Sequence, residues 1–201
     1  MFYRPENGHG LPHNPFKAIV APRPIAWIST RDGAGVANLA PYSFFNAIAD
    51  DPPQVIFAST GTKADQEDSK DTVSNIRATG EFCINLVASN LRDAMNASSA
   101  PASKNVDEFE LANLTQSDCE TISCPRVLEA PASLECRLQQ IITLDGPNNR
   151  LIIGSVTGIH IQDQHLKDGV LDVTSYQPLA RLGYLDYSAV ETVFSLKRPT
   201  K

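Results

Sequence analysis

Apolar residues in this chain fall mainly into short runs that alternate with polar ones, separated by glycine, proline and Asn/Asp turns. Residues 25–30 carry the β-branched and aromatic side chains of a strand. Residues 31–35, with two glycines free to take positive φ, read as a turn, and residues 36–39 return antiparallel to complete a first hairpin. Pro41 bars continuation as a central strand. Residues 43–45 lead toward Asn46, the Asp50-Asp51-Pro52-Pro53 run ends that segment, and residues 55–60 form the next strand. In residues 81–87, Phe82, Ile84 and Leu86 share one face. Leu134, Cys136 and Leu138 alternate with Glu135, Arg137 and Gln139, the signature of a half-buried strand. A strong turn at 145–149 separates 141–144 from 151–161. Gly154 and Gly158 in the latter run permit bulges, which curl a small sheet into a barrel. Residues 184–194 offer a last short strand.

Helical signals are fewer. Val73 and Ile76 lie on one face of a helix that Ser69 or Asp71 caps and Gly80 stops. Leu91 and Met95, four apart, predict a second helix starting near Ser89 or Asn90, and residues 106–111 a short third piece. Residues 63–68, 97–104 and 162–183 read as polar connections, and 112–131 as irregular. Residues 1–14, broken by Pro5, Gly8, Gly10 and Pro12, form an arm ahead of a single domain over 15–201. There is no βαβ rhythm, no GxGxxG and no P-loop sequence. The pattern predicts a mainly β fold, a closed antiparallel barrel with peripheral helices; an α+β sandwich-like domain is the alternative.

Composition narrows the function classes. The 201 residues are 42% hydrophobic and 20% charged, with a formal charge of -6. No dense Lys/Arg block is present, which disfavours nucleic acid as a partner but leaves room for a small anion in a locally positive cleft. Cys83 and Cys136 sit in apolar runs and read as buried thiols; Cys119 and Cys124 flank a polar segment without CxxC spacing. The N-terminus has no apolar targeting core and no run suits a membrane span, so a cytoplasmic protein is expected. His9 and His13 are four apart in a non-helical arm. No HExxH or nucleophile elbow appears. The pairs Asp50-Asp51 and Asp107-Glu108 read as solvated turns, and Trp27 as core.

Two stretches carry candidate chemistry. The helix start Ser69-Lys70-Asp71-Thr72 offers free N–H groups, a dipole, a cation and hydroxyls to an anion. A capped surface helix would carry the same residues. The run Asn38-Leu39-Ala40-Pro41-Tyr42-Ser43 leaves backbone groups around Pro41 outside regular pairing, where they can read the polar edge of a planar heterocycle, with Phe44 and Phe45 as apolar walls. A bulged strand with aromatic packing would look alike.

These residues also resemble a family, the flavin reductase-like, FMN-binding split-barrel proteins. The matching segments are PRPIAWIST at 22–30, NLAPYSFFN at 38–46, DPPQVIF at 51–57, KDTVSNI at 70–76, TGEFCINL at 79–86, DEF at 107–109 and RLG at 181–183, spread in order over residues 15–190. The resemblance implies a Greek-key split barrel of about six strands and a homodimer with the flavin near the subunit interface. It sets Asn38, Leu39, Ala40, Pro41, Tyr42 and Ser43 beside the isoalloxazine ring. It sets Ser59, Thr60, Lys70, Asp71 and Thr72 around the ribityl tail and phosphate, with Arg23 near the cofactor. The implied activity is hydride transfer from NAD(P)H to FMN, then electron transfer to free flavin, a ferric complex, oxygen or a partner. An FMN-binding electron carrier without direct NAD(P)H activity is the alternative, and a barrel that has lost its cofactor a third. One departure stands out. Relatives often carry glycine after RLG, where this chain has Tyr184. A ring there, or His165 in the late polar segment, would shape nicotinamide access.

Overall fold

The computed structural model describes residues 1–61, 70–101 and 106–200. Ser69, the charged loop expected at 63–68, and residues 102–105 of the expected loop 97–104 lie outside them.

Seven strands make one antiparallel sheet: β1 (Ala26–Arg31), β2 (Ala37–Tyr42), β3 (Phe45–Asp50), β4 (Pro53–Ser59), β5 (Glu81–Asn85), β6 (Ala132–Thr143) and β7 (Arg150–Ile161), in the hydrogen-bonded order β2-β1-β5-β6-β7-β4-β3. The two edge strands, β2 and β3, are consecutive in sequence, joined only by Ser43 and Phe44. The sheet must therefore roll until its ends approach each other. Tyr42 on β2 packs on Phe57 of β4, ring centroids 5.1 Å apart, across that seam.

The roll depends on two glycines where the sequence predicts bulges. Register shifts in the β6–β7 ladder fall at Ile153/Gly154 and Val156/Gly158. A Cβ on Gly154 would stand 2.4 Å from the Phe82 ring, and one on Gly158 would stand 3.1 Å from the Glu135 carboxyl carbon. Both positions thus let backbone pass against a buried side chain.

β1 is buried on both faces. Ala26 and Ile28 join a cluster with Phe57, Phe82, Ile84 and Ile152; Ile25 and Trp27 join another with Leu39, Met95 and Phe109. Full burial of side chains of this size contributes about 2 kcal/mol each. Trp27 is core, as expected, and its Nε1 donates to Ser98 Oγ at 2.8 Å.

Among the described residues four short α-helices surround the sheet: α1 (Phe16–Ile19), α2 (Asp71–Thr79), α3 (Arg92–Ala97) and α4 (Glu108–Leu111). α2 buries Val73 and Ile76 in the first cluster, and Gly80 ends it in the left-handed conformation at φ +73°, its N–H bonded to Ile76 O. A ribbon of three short strands, Arg23–Pro24, Leu179–Arg181 and Tyr187–Ala189, ties the start of the domain to its end.

The mainly β fold with peripheral helices is the one the pattern predicts; several details differ. The strand holding Pro41 does not stop there but runs to Tyr42, which is possible because β2 is an edge. β3 is missed by the pattern because five of its six residues are exposed, leaving no alternation to read. Lys70, not Asp71, is the N-cap of α2, and its side chain makes no cap bond. Asp107 caps α4 through Phe109 N, while Glu108 is buried rather than solvated. Residues 112–131 are irregular apart from a small ribbon, Gln116–Ser117 with Arg126–Val127.

Candidate flavin site

The seam between β2 and β3 is lined with cations. Lys70 Nζ lies 6.0 Å from the centroid of the Tyr42 ring, Lys17 Nζ 5.6 Å from that of Phe44, and the Arg23 guanidinium 5.9 Å from that of Phe44 on the same turn. Burial lowers the Lys70 pKa, and neighbouring Lys17 lowers it further. Burial, then Arg181, does the same to Arg23. Lys70, Lys17, Arg23 and Arg181 thus stand in two neighbouring pairs along one turn. Among the described residues none of them forms an ion pair. Clustered like charges without counterions raise the local potential and favour an anion.

Local structure explains how they are held. The buried Arg23 guanidinium donates to the carbonyls of Lys17 and Val20 and, at 2.8 Å, to that of Leu182. It therefore anchors α1, which carries Lys17, to the RLG segment. Gly183 makes the contact possible, since a Cβ there would stand 2.4 Å from Ala18 Cβ. At the other end, the N–H groups of Asp71 and Thr72 precede the first intrahelical bonds of α2, which run from Val73 N and Ser74 N to the carbonyl of the N-cap Lys70.

Behind this surface lies a braced polar network. Thr72 Oγ1 donates to Asn38 Oδ1 at 2.9 Å, Asn38 Nδ2 donates to Glu108 Oε2 at 3.1 Å, and Leu39 N donates to the same oxygen at 3.1 Å. Asn75 Nδ2 donates to Thr30 Oγ1 at 3.1 Å. Asn38 and Leu39 thus tie α2, β2 and α4 together. Tyr42 differs. Burial pushes its phenol up to about 12 against the pull of the neighbouring Thr72 and Ser59 hydroxyls. Yet those contacts fall short of hydrogen-bond geometry, and the buried Tyr42 oxygen has no partner among the described residues.

The structure therefore gathers Tyr42, Ser59, Lys70 and Thr72 on one side of the turn, and Arg23 and Ser43 on the other. Ser59 is buried at the end of β4; Ala40 and Pro41 are half-buried on β2; Asp71 is buried in the first turn of α2; Thr60 is exposed just past β4. Ser69 lies outside the described residues. Two clefts meet at Ser43 and Arg181. One of about 410 Å³ is lined also by Phe16, Lys17, Arg23 and Tyr184, and one of about 230 Å³ by Ile25, Pro41, Met95 and Tyr187. Tyr184 sits at φ +55° and packs on His13, centroids 5.7 Å apart. His165 lines a separate cleft with Gln162 and Tyr176 and pairs with Ser175 Oγ at 2.8 Å.

Sequence reasoning missed Lys17, Arg181 and Glu108. Lys17 and Arg181 are remote in sequence from the seam. Glu108 carried a readable signal, an acidic side chain directly before Phe109 at the start of a short helix.

A rolled antiparallel sheet with a cation-lined seam and an open helix start defines a split-barrel protein built for a planar, phosphorylated ligand. The chain belongs to the flavin reductase like domain family, whose model matches residues 20–180. It is 37% identical over 185 residues to an uncharacterised protein of Halalkalibacterium halodurans, covering 90% of this chain and 88% of that one. Among solved structures it is similar to nitrilotriacetate monooxygenase component B from Bacillus cereus (30% identity, 98% of each chain, TM-score 0.87). It is also similar to the 2-nitrobenzoate 2-nitroreductase of Pseudomonas fluorescens (28% identity, 92% of this chain and 89% of that one, TM-score 0.81). Membership gives the chain a flavin-dependent oxidoreductase or electron-transfer role in general terms. No helix among the described residues is long and apolar enough to cross a membrane.

Proposed function

We propose that the chain is an FMN-dependent NAD(P)H oxidoreductase whose cofactor phosphate lies at the start of α2 and whose flavin ring lies along Asn38 to Ser43. The observation that carries this reading is the run of cations without an ion pair among the described residues, beside a buried Tyr42 hydroxyl that has no partner among them. The redox chemistry, acceptance of a hydride from NAD(P)H and release of electrons to free flavin, a ferric complex, oxygen or a partner, is what FMN supplies when bound. The chain's own residues bind and orient. Lys70 and Lys17 neutralise phosphate charge, and Ser59, Thr60, Thr72 and Tyr42 offer hydroxyls, with Ser69 and Asp71 flanking them. Backbone groups around Pro41 to Ser43, on the open edge of β2, meet the polar edge of the ring and stabilise negative charge there. Arg23 acts through its field and through its hold on α1, because its guanidinium is engaged with carbonyls. Arg181 and Tyr184 border the cleft left for the nicotinamide.

A homodimer belongs to the same proposal. The open edge strand β3 exposes Ile48, and Leu185, Phe194 and Leu196 near the C-terminus are 84–86% exposed, apolar side chains that a second copy would cover. Residues 1–14 act as an arm and 15–201 as the flavin domain. Four free cysteines fit a reducing, cytoplasmic setting.

The test is a visible spectrum of the protein as purified, then anaerobic addition of NADH or NADPH. A yellow protein whose flavin band bleaches rapidly supports the reading. A yellow protein indifferent to both donors makes it an electron carrier. A protein that stays colourless with added FMN sinks the proposal.

A further inference from the structure

A second cluster lies where the 117–125 segment crosses β6 and β7. Cys119, Glu135 and His160 each bring one ligand atom, and the three atoms lie within 4.8 Å of one another. The Glu135 side chain is fully buried and that of His160 about a quarter exposed. Glu135 is held firmly: Oε1 accepts from Glu120 N at 2.7 Å, and Oε2 accepts from Thr121 N at 2.6 Å and Thr121 Oγ1 at 2.5 Å. Its remaining contact is His160 Nε2, 2.5 Å from Oε1. Cys83 and Cys124, fully buried, pack against partly buried Cys119. His160 also lines an open cleft of about 540 Å³ with Arg126, Leu128 and Gln162, which gives an approach from solvent.

We propose that Cys119, Glu135 and His160 form a binding site for one divalent ion of the zinc class, with water from the cleft in the fourth position. The donor set carries the choice of metal. A thiolate, an imidazole and a carboxylate together suit zinc and not magnesium or calcium, which take oxygen ligands. Two anionic ligands balance the ion's charge, and Cys119 releases its proton to solvent as the sulfur–metal bond forms. The carboxylate is already oriented by two backbone N–H groups, the outer-shell support that ordered metal ligands receive. Without metal, His160 and Glu135 share a hydrogen bond. Tetrahedral zinc, at about 2.0 Å from nitrogen and oxygen and about 2.3 Å from sulfur, sets the nitrogen and oxygen about 3.3 Å apart and the sulfur about 3.5 Å from each, so the ion enters if the partly exposed imidazole retreats by under about 1 Å and the Cys119 sulfur, now within 4.8 Å of both, closes by about 1.3 Å at most. Gly158 allows this packing, since a side chain there would press on Glu135. The ion would fasten the 117–125 segment to both strands, away from the flavin seam and independent of its assignment.

The experiment is equilibrium dialysis of the full chain against zinc, read by elemental analysis, alongside alkylation of native thiols read by mass spectrometry. Expected are about one zinc per chain, binding at least tenfold weaker in both Cys119→Ser and His160→Gln, and a zinc-dependent slowing of Cys119 alkylation in the unaltered protein. His165→Gln, at an imidazole that pairs with Ser175 Oγ and is not one of the three ligands, leaves binding unchanged. Absence of stoichiometric zinc, equal binding by the Cys119 and His160 variants, or alkylation of Cys119 indifferent to zinc overturns the proposal. The alkylation arm needs no variant, so a folding defect cannot mask the answer.

Discussion

Two polar clusters border strand β1, and they are built on opposite principles. Around Asn85 every valence of the side chain is used: Nδ2 donates to Trp27 O at 3.0 Å and Ser29 Oγ at 3.1 Å, and Oδ1 accepts from Val127 N at 2.8 Å and Ser133 Oγ at 2.9 Å. Around Tyr42 capacity is left over: a buried hydroxyl without a partner and nearby cations without counterions among the described residues. Buried polar groups that serve the scaffold close on one another. Those that serve a ligand keep bonding capacity outstanding. Burial alone does not separate the two, because Asn85 and Tyr42 are both buried.

The largest effect is expected from Asn85→Ala. That change takes a bond from the Trp27 carbonyl, the Val127 N–H and the Ser133 and Ser29 hydroxyls, of which Ser29 keeps its bond to Pro125 O, and is expected to cost about 2–4 kcal/mol in urea unfolding. FMN affinity of the folded protein should not move. A parallel loss of FMN affinity would make the two clusters one functional unit. Lys70→Ala is the reverse experiment. If the FMN phosphate lies at the start of α2 as proposed, removing this half-buried cation should weaken FMN binding about tenfold to a hundredfold in fluorescence titration, while stability changes by under about 0.5 kcal/mol. Unchanged affinity would move the phosphate off α2.

Tyr184→Gly sharpens the comparison at the open cleft. Tyr184 sits at φ +55°, where a side chain costs about 1 kcal/mol that glycine does not. Its packing on His13 offsets part of that cost. The expected result is a stability gain of about 1 kcal/mol or less, with altered NAD(P)H kinetics in stopped-flow reduction and little change in flavin affinity. Identical donor kinetics would remove Tyr184 from the nicotinamide path.

What was legible in the sequence follows the same division. Bulges at Gly154 and Gly158, the α2 core face at Val73 and Ile76, and the glycine stop at Gly80 are local signals, and the structure carries each where the pattern sets it. The run from Asn38 to Ser43, proposed to face the ring, stands out in the sequence because Pro41 interrupts a strand pattern, yet the strand continues through Pro41 to Tyr42. The cations that complete the seam do not stand out. Lys17 reaches it through α1, and Arg181 through a ribbon closed by residues almost 160 positions from Arg23, as the 2.8 Å bond from Arg23 to Leu182 O illustrates. Contacts of that range leave no periodicity. Glu108 was misread because a carboxylate in a short helix looks solvated until its acceptors are matched to Asn38 and Leu39 N.

The smallest test concerns a closed cluster at the surface. Glu81 Oε2 accepts from Ser123 N at 2.8 Å and Ser123 Oγ at 2.7 Å, and Oε1 lies 3.1 Å from Arg137. Partial burial opposes ionisation of Glu81, but the Ser123 donors and the Arg137 charge outweigh it and hold the carboxyl below its ordinary range. A carboxyl lowered on folding stabilises the protein above its unfolded pKa, and the contribution disappears as pH falls through the folded value. Arg137 is more than half exposed, so solvent screens the pair and the whole effect should stay under about 1 kcal/mol. Glu81→Gln is therefore expected to lower stability slightly at neutral pH, with the deficit shrinking as the pH drops below the carboxylate range. Thermal melts of both proteins across that range give the answer. A deficit that persists undiminished in acid would mean that Glu81 acts through its packing and its bonds to Ser123 rather than its charge. Closure of a polar cluster would then stabilise this surface without electrostatics, as the uncharged Asn85 cluster does inside.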